Sequence, residues 1–130
     1  MNKFVPYHAE SVEYAKKITA GDIDPLKKYK RITSWVNRCI AYDYIRAITI
    51  PKRGKEYPDV EGCWNKRMGI CMDVASMTVG MLRAVGIESY LCYGHADNAY
   101  HAWVESVIKG KRYRFDHRGK AKKYTREKVY

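Results

Sequence analysis

The sequence predicts an α+β fold, with helices first and an antiparallel β-meander after them. Three observations carry this. Helical signals mark residues 8–20 and the stretch from Asp24 to Ile40, and a further helical run opens at Gly69 and closes at Gly86. Three segments of strand character then follow, separated by turns.

Taken in order, residues 8–20 read as a short helix ended by Gly21. A second helix begins at Asp24, a good N-cap with Pro25 at the first helical position. Leu26, Tyr29, Ile32, Val36, Cys39 and Ile40 share its core-facing side. Residues 49–66 contain Pro51, Gly54, Pro58 and Gly62 and read as a long irregular connection, of the kind that is often functional in a compact domain. Gly69-Ile70-Cys71-Met72-Asp73 opens the next helix. Its apolar face is Val74, Met77, Thr78, Met81, Leu82 and Val85, and Gly86 supplies the C-terminal cap. Strands are expected over 87–93, 100–108 and 111–116, with a turn at 94–99 and a tight two-residue turn at Lys109-Gly110.

The length, 130 residues, suits one domain over 1–130, large enough to bury roughly two-thirds of its unfolded surface. A hydrophobic content of 46% excludes a disordered chain. No apolar run approaches the ~18 residues that span a bilayer. The first eight residues lack the apolar core of a signal peptide, so a cytoplasmic location is expected, with Cys39, Cys63, Cys71 and Cys92 as free thiols. The net charge is +11, and ten Lys or Arg residues lie between Lys109 and Lys128 against Asp116 and Glu127. This segment reads as a solvated basic face with a frayed tail. Such a charge favours anionic partners, including anionic cell-envelope polymers and acidic protein surfaces. No zinc-finger, KH or RNP pattern points to specific nucleic-acid binding.

Cys71 stands apart from the other cysteines because it sits at the first turn of its helix, outside the apolar stripe. First-turn amides have no intrahelical partners, and the helix dipole is positive there. A thiolate is stabilised at such a place, where cysteine pKa values fall from about 8.5 to roughly 3.5–7.5. The same amides can receive the oxyanion of a tetrahedral intermediate. A thiol nucleophile needs a base, and the base needs an orienting partner. With Lys109-Gly110 as the loop, Ile108 faces Lys111, Trp103 faces Asp116, and His101 becomes a diagonal neighbour of Asp116 on one face, at about 7 Å between Cβ atoms. Trp103, Glu105, Val107, Arg112 and Arg114 share that face. Tyr100, Ala102, Val104, Ser106 and Ile108 form the other, more apolar one, expected to be the buried side.

Three separated motifs carry a resemblance. The run G-I-C-M-D-V-A-S-M-T-V-G-M-L-R-A-V-G-I-E-S-Y-L-C-Y-G-H from Gly69 to His95, then Y-H-A-W-V-E-S, then Y-R-F-D ending at Asp116, resemble the transglutaminase-like core domain. That superfamily shares its catalytic arrangement with papain-type cysteine proteases. The resemblance covers roughly Ile32 to Asp116 and implies a papain-like/transglutaminase-like α+β fold, with the nucleophile at a helix N-terminus packed on an antiparallel meander. It implies Cys71 as nucleophile, His101 as general base and acid, and Asp116 as the residue that orients the histidine. Residues 40–44 resemble the end of the family's helix before its substrate loop. The implied activity is thiol-dependent acyl transfer on a peptide, protein or peptidoglycan-type amide, as protease, amidase or transglutaminase, without a cofactor or metal. For the second oxyanion donor, Trp64 and Asn65 are the positional candidates, with packing the other role open to Trp64. The chain departs from the pattern where His117-Arg118 follow Asp116, and where no room is expected beyond the hairpin for the further strands of larger members.

Two other readings stay open from sequence. One is a catalytically silent binding module that uses the basic C-terminal segment. The other is a zinc site built from Cys63, Cys71 and the Cys92-x-x-His95 pair. His95 and Asp97 otherwise read as loop and turn residues near the cleft mouth, and His8 and His117 as surface background.

Overall fold

The computed structural model describes residues 2–49, 57–117, 119 and 121–130. Local signals set the first elements. His8 caps α1 (Ala9–Ile18) through its ring, whose Nδ1 accepts from the Ser11 N–H at 3.2 Å. Asp24 caps α2 (Pro25–Cys39) by accepting from the Leu26 N–H at 3.0 Å, with Pro25 in the first turn. The short strand β1 (Ala41–Tyr42) leads through Asp43 into α3 (Tyr44–Thr49).

The connection expected to be irregular over 49–66 contains a helix, α4 (Val60–Lys66), which corrects that reading over its second half. Asp59 caps it by accepting from the Gly62 N–H at 2.9 Å. The capping carboxylate occupies the space that a Cβ on Gly62 would fill, so the glycine that argues against a helix in sequence makes its cap. The expectations on residues 50–56 lie outside the described residues. Strand β2 (Met68–Gly69) then pairs parallel with β1, which brings the end of α2 beside the start of α5 (Cys71–Ala84).

Helix α5 is central. Its spacing predicted one apolar face, yet Asp73, Ala75, Ser76 and Val79 on its other sides are also buried. The reason is that α1, α2 and α4 pack on it from one side and the sheet from the other. Val74, Met77, Met81 and Leu82 meet Ile32 and Val36 of α2 and Leu91, Ala102 and Val104 of the sheet in one core. Burying each such side chain contributes about 1.5–3 kcal/mol. Gly86, in the left-handed region at φ 85°, turns the chain out of the helix, as its position predicted.

The sheet has the order β5-β4-β3-β6, all antiparallel, from β3 (Glu88–Ala96), β4 (Ala99–Ile108), β5 (Lys111–Phe115) and β6 (Tyr124–Val129). The first three form the expected meander. Lys109 and Gly110, at φ 53° and 78°, make the tight turn, and Ile108 pairs with Lys111. The turn expected over 94–99 is shorter, because β3 runs on to Ala96 and Asp97 at φ 54° takes the corner.

Strand β6 corrects the reading of the basic segment as a frayed tail with no room for another strand. It pairs with β3 from Cys92–Val129 to Ala96–Tyr124. Asp97 fixes its approach by accepting from the N–H groups of Lys122 and Lys123 at 3.1 and 2.9 Å. Its basic side chains hid the strand, because an edge strand with one solvated side needs no apolar alternation. Gly94 allows the close pairing, since a Cβ there would collide with the Thr125 carbonyl. Among the described residues no helix is long and apolar enough to cross a membrane.

Candidate active site

Cys71 is the first residue of α5, after Ile70 in extended backbone, and it is half-buried. The first intrahelical bond runs from the Val74 N–H to the Ile70 carbonyl at 3.1 Å, so the amides of Cys71 and Met72 precede the hydrogen-bonded ladder. Asp73, only 1% exposed, locks this tip. Its carboxylate accepts from the N–H of Ile70 at 3.0 Å, the N–H of Asp59 at 2.8 Å and Nε of Arg46 at 3.0 Å. The helix start is thereby tied to α3 and to the cap of α4. Sequence reasoning passed over Asp73 as a plain helix residue, although an acid at the third helical position is a capping signal.

The hairpin register delivers His101 and Asp116 to the same place. His101 Nε2 meets Asp116 Oδ1 at 2.8 Å. The Cys71 sulfur lies near enough to the same imidazole to favour its charged form. With Nε2 engaged by the carboxylate, Nδ1 is the nitrogen left for the sulfur. Burial works against a charge on His101, but the hydrogen bond to Asp116, the nearby Cys71 sulfur and the charges of both outweigh it, raising the imidazole to about 10. The ring holds its proton at neutral pH.

A second layer steadies the pair. The Tyr124 hydroxyl on β6 donates to Asp116 Oδ2 at 2.6 Å. Burial and this bond push that hydroxyl up to about 12, so it keeps the proton it donates. The Trp103 indole stacks beside the His101 ring at 6.4 Å, meets the Tyr124 ring edge-on at 5.0 Å and donates to Glu105 Oε2 at 2.9 Å. Glu105 in turn holds Arg112 at 2.8 Å and Arg126 at 3.4 Å. Both faces of β4 are therefore buried at Trp103 and Glu105 as well as at Ala102 and Val104, where the Ala102 side was expected to be the buried one. His117, read as background from sequence, is buried and donates from Nε2 to the Ile40 carbonyl at 2.7 Å. That bond pins the chain just past Asp116 to the end of α2.

The two positional candidates for a second oxyanion donor sit in α4. Trp64 packs among Trp35, Tyr14 and the Arg67 guanidinium, and its indole N–H donates to Glu10 Oε2 at 3.2 Å. It fills the packing role, and its one donor is already engaged. Asn65 is exposed on the same helix. Two tyrosines that sequence reasoning did not single out lie closer in chemistry. Burial first, then the charge of Cys71, raises the hydroxyls of both Tyr42 and Tyr93.

The zinc reading fails on strand geometry. Cys92 and His95 are three apart on β3 and so face opposite sides, Cys92 paired across from Trp103 and His95 from Tyr100. His95 bonds Glu127 at 3.0 Å. Among the described residues no group of three His, Cys, Asp or Glu side chains converges as a metal site. All four cysteines are free thiols. Burial pushes Cys63 and Cys92 up to about 12, which leaves them neutral and inert near pH 7.

Comparison with known proteins finds solved structures of like fold. The chain resembles the structure of a protease candidate from Parabacteroides distasonis (TM-score 0.66, 22% identity, 83% of this chain and 23% of that one). It also resembles a cysteine-protease candidate from Cytophaga hutchinsonii (TM-score 0.66, 20% identity, 88% and 40%). A third likeness is to a TGase (TM-score 0.66, 17% identity, 92% and 33%). At these identities the likeness is one of fold, and the chain spans less than half the length of each. No curated protein matches it. The family model of the transglutaminase-like superfamily matches residues 12–116, from the first helix through the acid that holds His101. By that match over most of its length, this chain belongs to the transglutaminase-like superfamily.

Proposed function

We propose that the protein performs thiol-dependent acyl transfer on amide or peptide carbonyls, with Cys71 as nucleophile, His101 as proton carrier and Asp116 as its orienting anion. Membership of the superfamily supports a general thiol-dependent catalytic role. The observation that carries the finer reading is the imidazole held between a helix-tip sulfur and a buried carboxylate.

In this reading the Cys71 thiol proton passes to His101, the sulfur attacks the carbonyl carbon, and the C=O electron pair moves onto oxygen. The first-turn amide of Cys71 receives that oxyanion. As the carbonyl re-forms, the C–N bond breaks and His101 gives its proton to the leaving amine, which leaves a thioester on Cys71. His101, now neutral, takes a proton from the incoming nucleophile as that nucleophile bonds to the thioester carbon; the C–S bond then breaks, which frees the acyl product and returns the sulfur of Cys71 beside the protonated ring. Water as nucleophile makes a protease or amidase, and a primary amine makes a transglutaminase. The substrate is a peptide, a protein or a peptidoglycan-type amide. The net charge of +11 favours anionic examples and anionic surfaces around them.

The test is incubation with a casein-like acceptor, a fluorescent primary amine and a peptide library, followed by mass spectrometry. Products that gain amine or water, absent with Cys71→Ala, support the reading. Full turnover by Cys71→Ala would overturn it.

A further inference from the structure

Tyr93 is an odd residue for its place. It lies on β3, paired across from Ala102, so its side chain lies on the α5-facing side of the sheet, one position from the Gly94–His101 pair. Its hydroxyl oxygen is buried and has no hydrogen-bond partner among the described residues. A buried hydroxyl left unpaired is costly, and such a group in a folded protein calls for an explanation. Three aromatic rings pack around the Tyr93 ring. Phe4 stands edge-on at 5.9 Å, Tyr130 edge-on at 5.8 Å, and Tyr100 tilted at 6.3 Å. Ala102, directly across from Tyr93, lines one small cavity together with Cys71, and after burial the charge of Cys71 is the largest influence on this hydroxyl.

We infer that the Tyr93 hydroxyl is the second donor to the oxyanion formed when Cys71 attacks a carbonyl, its unpaired state being the empty form of that hydrogen bond. This rests on the thiol mechanism above and deepens it. The oxyanion then has two donors of different origin, the Cys71 amide at the helix tip and a phenol from the sheet. A donor fixed beforehand by packing stabilises the charge that develops in the transition state without having to reorganise. Tyr42, also under the influence of Cys71, is the competing hydroxyl, but its oxygen is not among the buried and unpaired ones.

The test compares two reactions of the same sulfur. Iodoacetamide alkylates a thiolate by displacement and forms no oxyanion, whereas p-nitrophenyl acetate acylates it through a tetrahedral oxyanion. In Tyr93→Phe the alkylation rate of Cys71 is expected to stay within about twofold of wild type. The nitrophenol burst is expected to slow by about 10–100-fold, toward the scale of losing one oxyanion donor. The melting temperature should hold or rise, because the variant removes an unpaired hydroxyl and keeps the ring. An unchanged burst overturns the inference, as does equal slowing of both reactions, which would mean that the residue acts on the thiolate itself. So does a burst that depends on Tyr42→Phe and ignores Tyr93→Phe. If wild-type Cys71 reacts with neither reagent, the thiol mechanism falls together with the inference, a result distinct from the others.

Discussion

Replacing Asp116 with Asn separates charge from shape at the centre of the site. The amide occupies the same volume and keeps a polar atom 2.8 Å from His101 Nε2. It removes the anion. A hydrogen bond to a charged group contributes about 1.5–3 kcal/mol, and one pKa unit corresponds to about 1.4 kcal/mol. His101, held at about 10 in the wild type, should therefore titrate about 1–2 units lower in the variant. The sign for stability follows. The imidazole binds its proton more tightly in the folded chain than at the ordinary value near 6.5, so its contribution is complete below that pH. It is lost as pH rises through about 10. Between neutral pH and about 10.5 the wild type should lose about 1.4–2.7 kcal/mol more stability than Asp116→Asn. The assay is NMR titration of the His101 ring in both proteins, with urea unfolding at the two pH extremes. Equal His101 midpoints would refute the claim that the carboxylate holds the proton there.

Other expectations follow from the same contacts. Tyr124→Phe removes the 2.6 Å bond to Asp116 and should lower kcat about tenfold with KM little changed, while costing about 1 kcal/mol in urea unfolding. Asp73→Ala removes the acceptor of two backbone N–H groups and one ion pair of Arg46. It should cost about 3 kcal/mol, read as a drop in Tm of roughly 10 °C for a chain this size. Gly94→Ala puts a methyl group where the Thr125 carbonyl lies, so β6 should detach, with faster amide exchange at Arg126 and Lys128 and a loss of activity similar to that of Tyr124→Phe.

Much of the fold was legible because local chemistry dictated it. Asp24-Pro25 capped a helix, Gly86 ended one, and Lys109-Gly110 fixed a turn of even length, which alone put His101 and Asp116 on one face. The parts that were not legible depend on contacts distant in sequence. The helix α4 is set by a cap that reaches across a glycine, and β6 by Asp97 holding backbone N–H groups of residues 25 and 26 positions later. The same cause hid Tyr124, whose role exists only once β6 lies beside β3. Asp73 drew no notice because its three partners come from elements before it in the chain. Trp64 drew too much, since position in a loop says nothing about where an indole N–H will point.

The most direct test of the central claim sets Cys71 against Cys39. Cys39 is exposed and Cys71 half-buried, so access alone favours labelling of Cys39. An activated thiolate reverses that order. With limiting iodoacetamide near pH 6, peptide mapping should find the label on Cys71 first in the wild type, and that preference should vanish in His101→Ala. Label on Cys39 ahead of Cys71, or a preference for Cys71 that survives the loss of His101, would contradict the account.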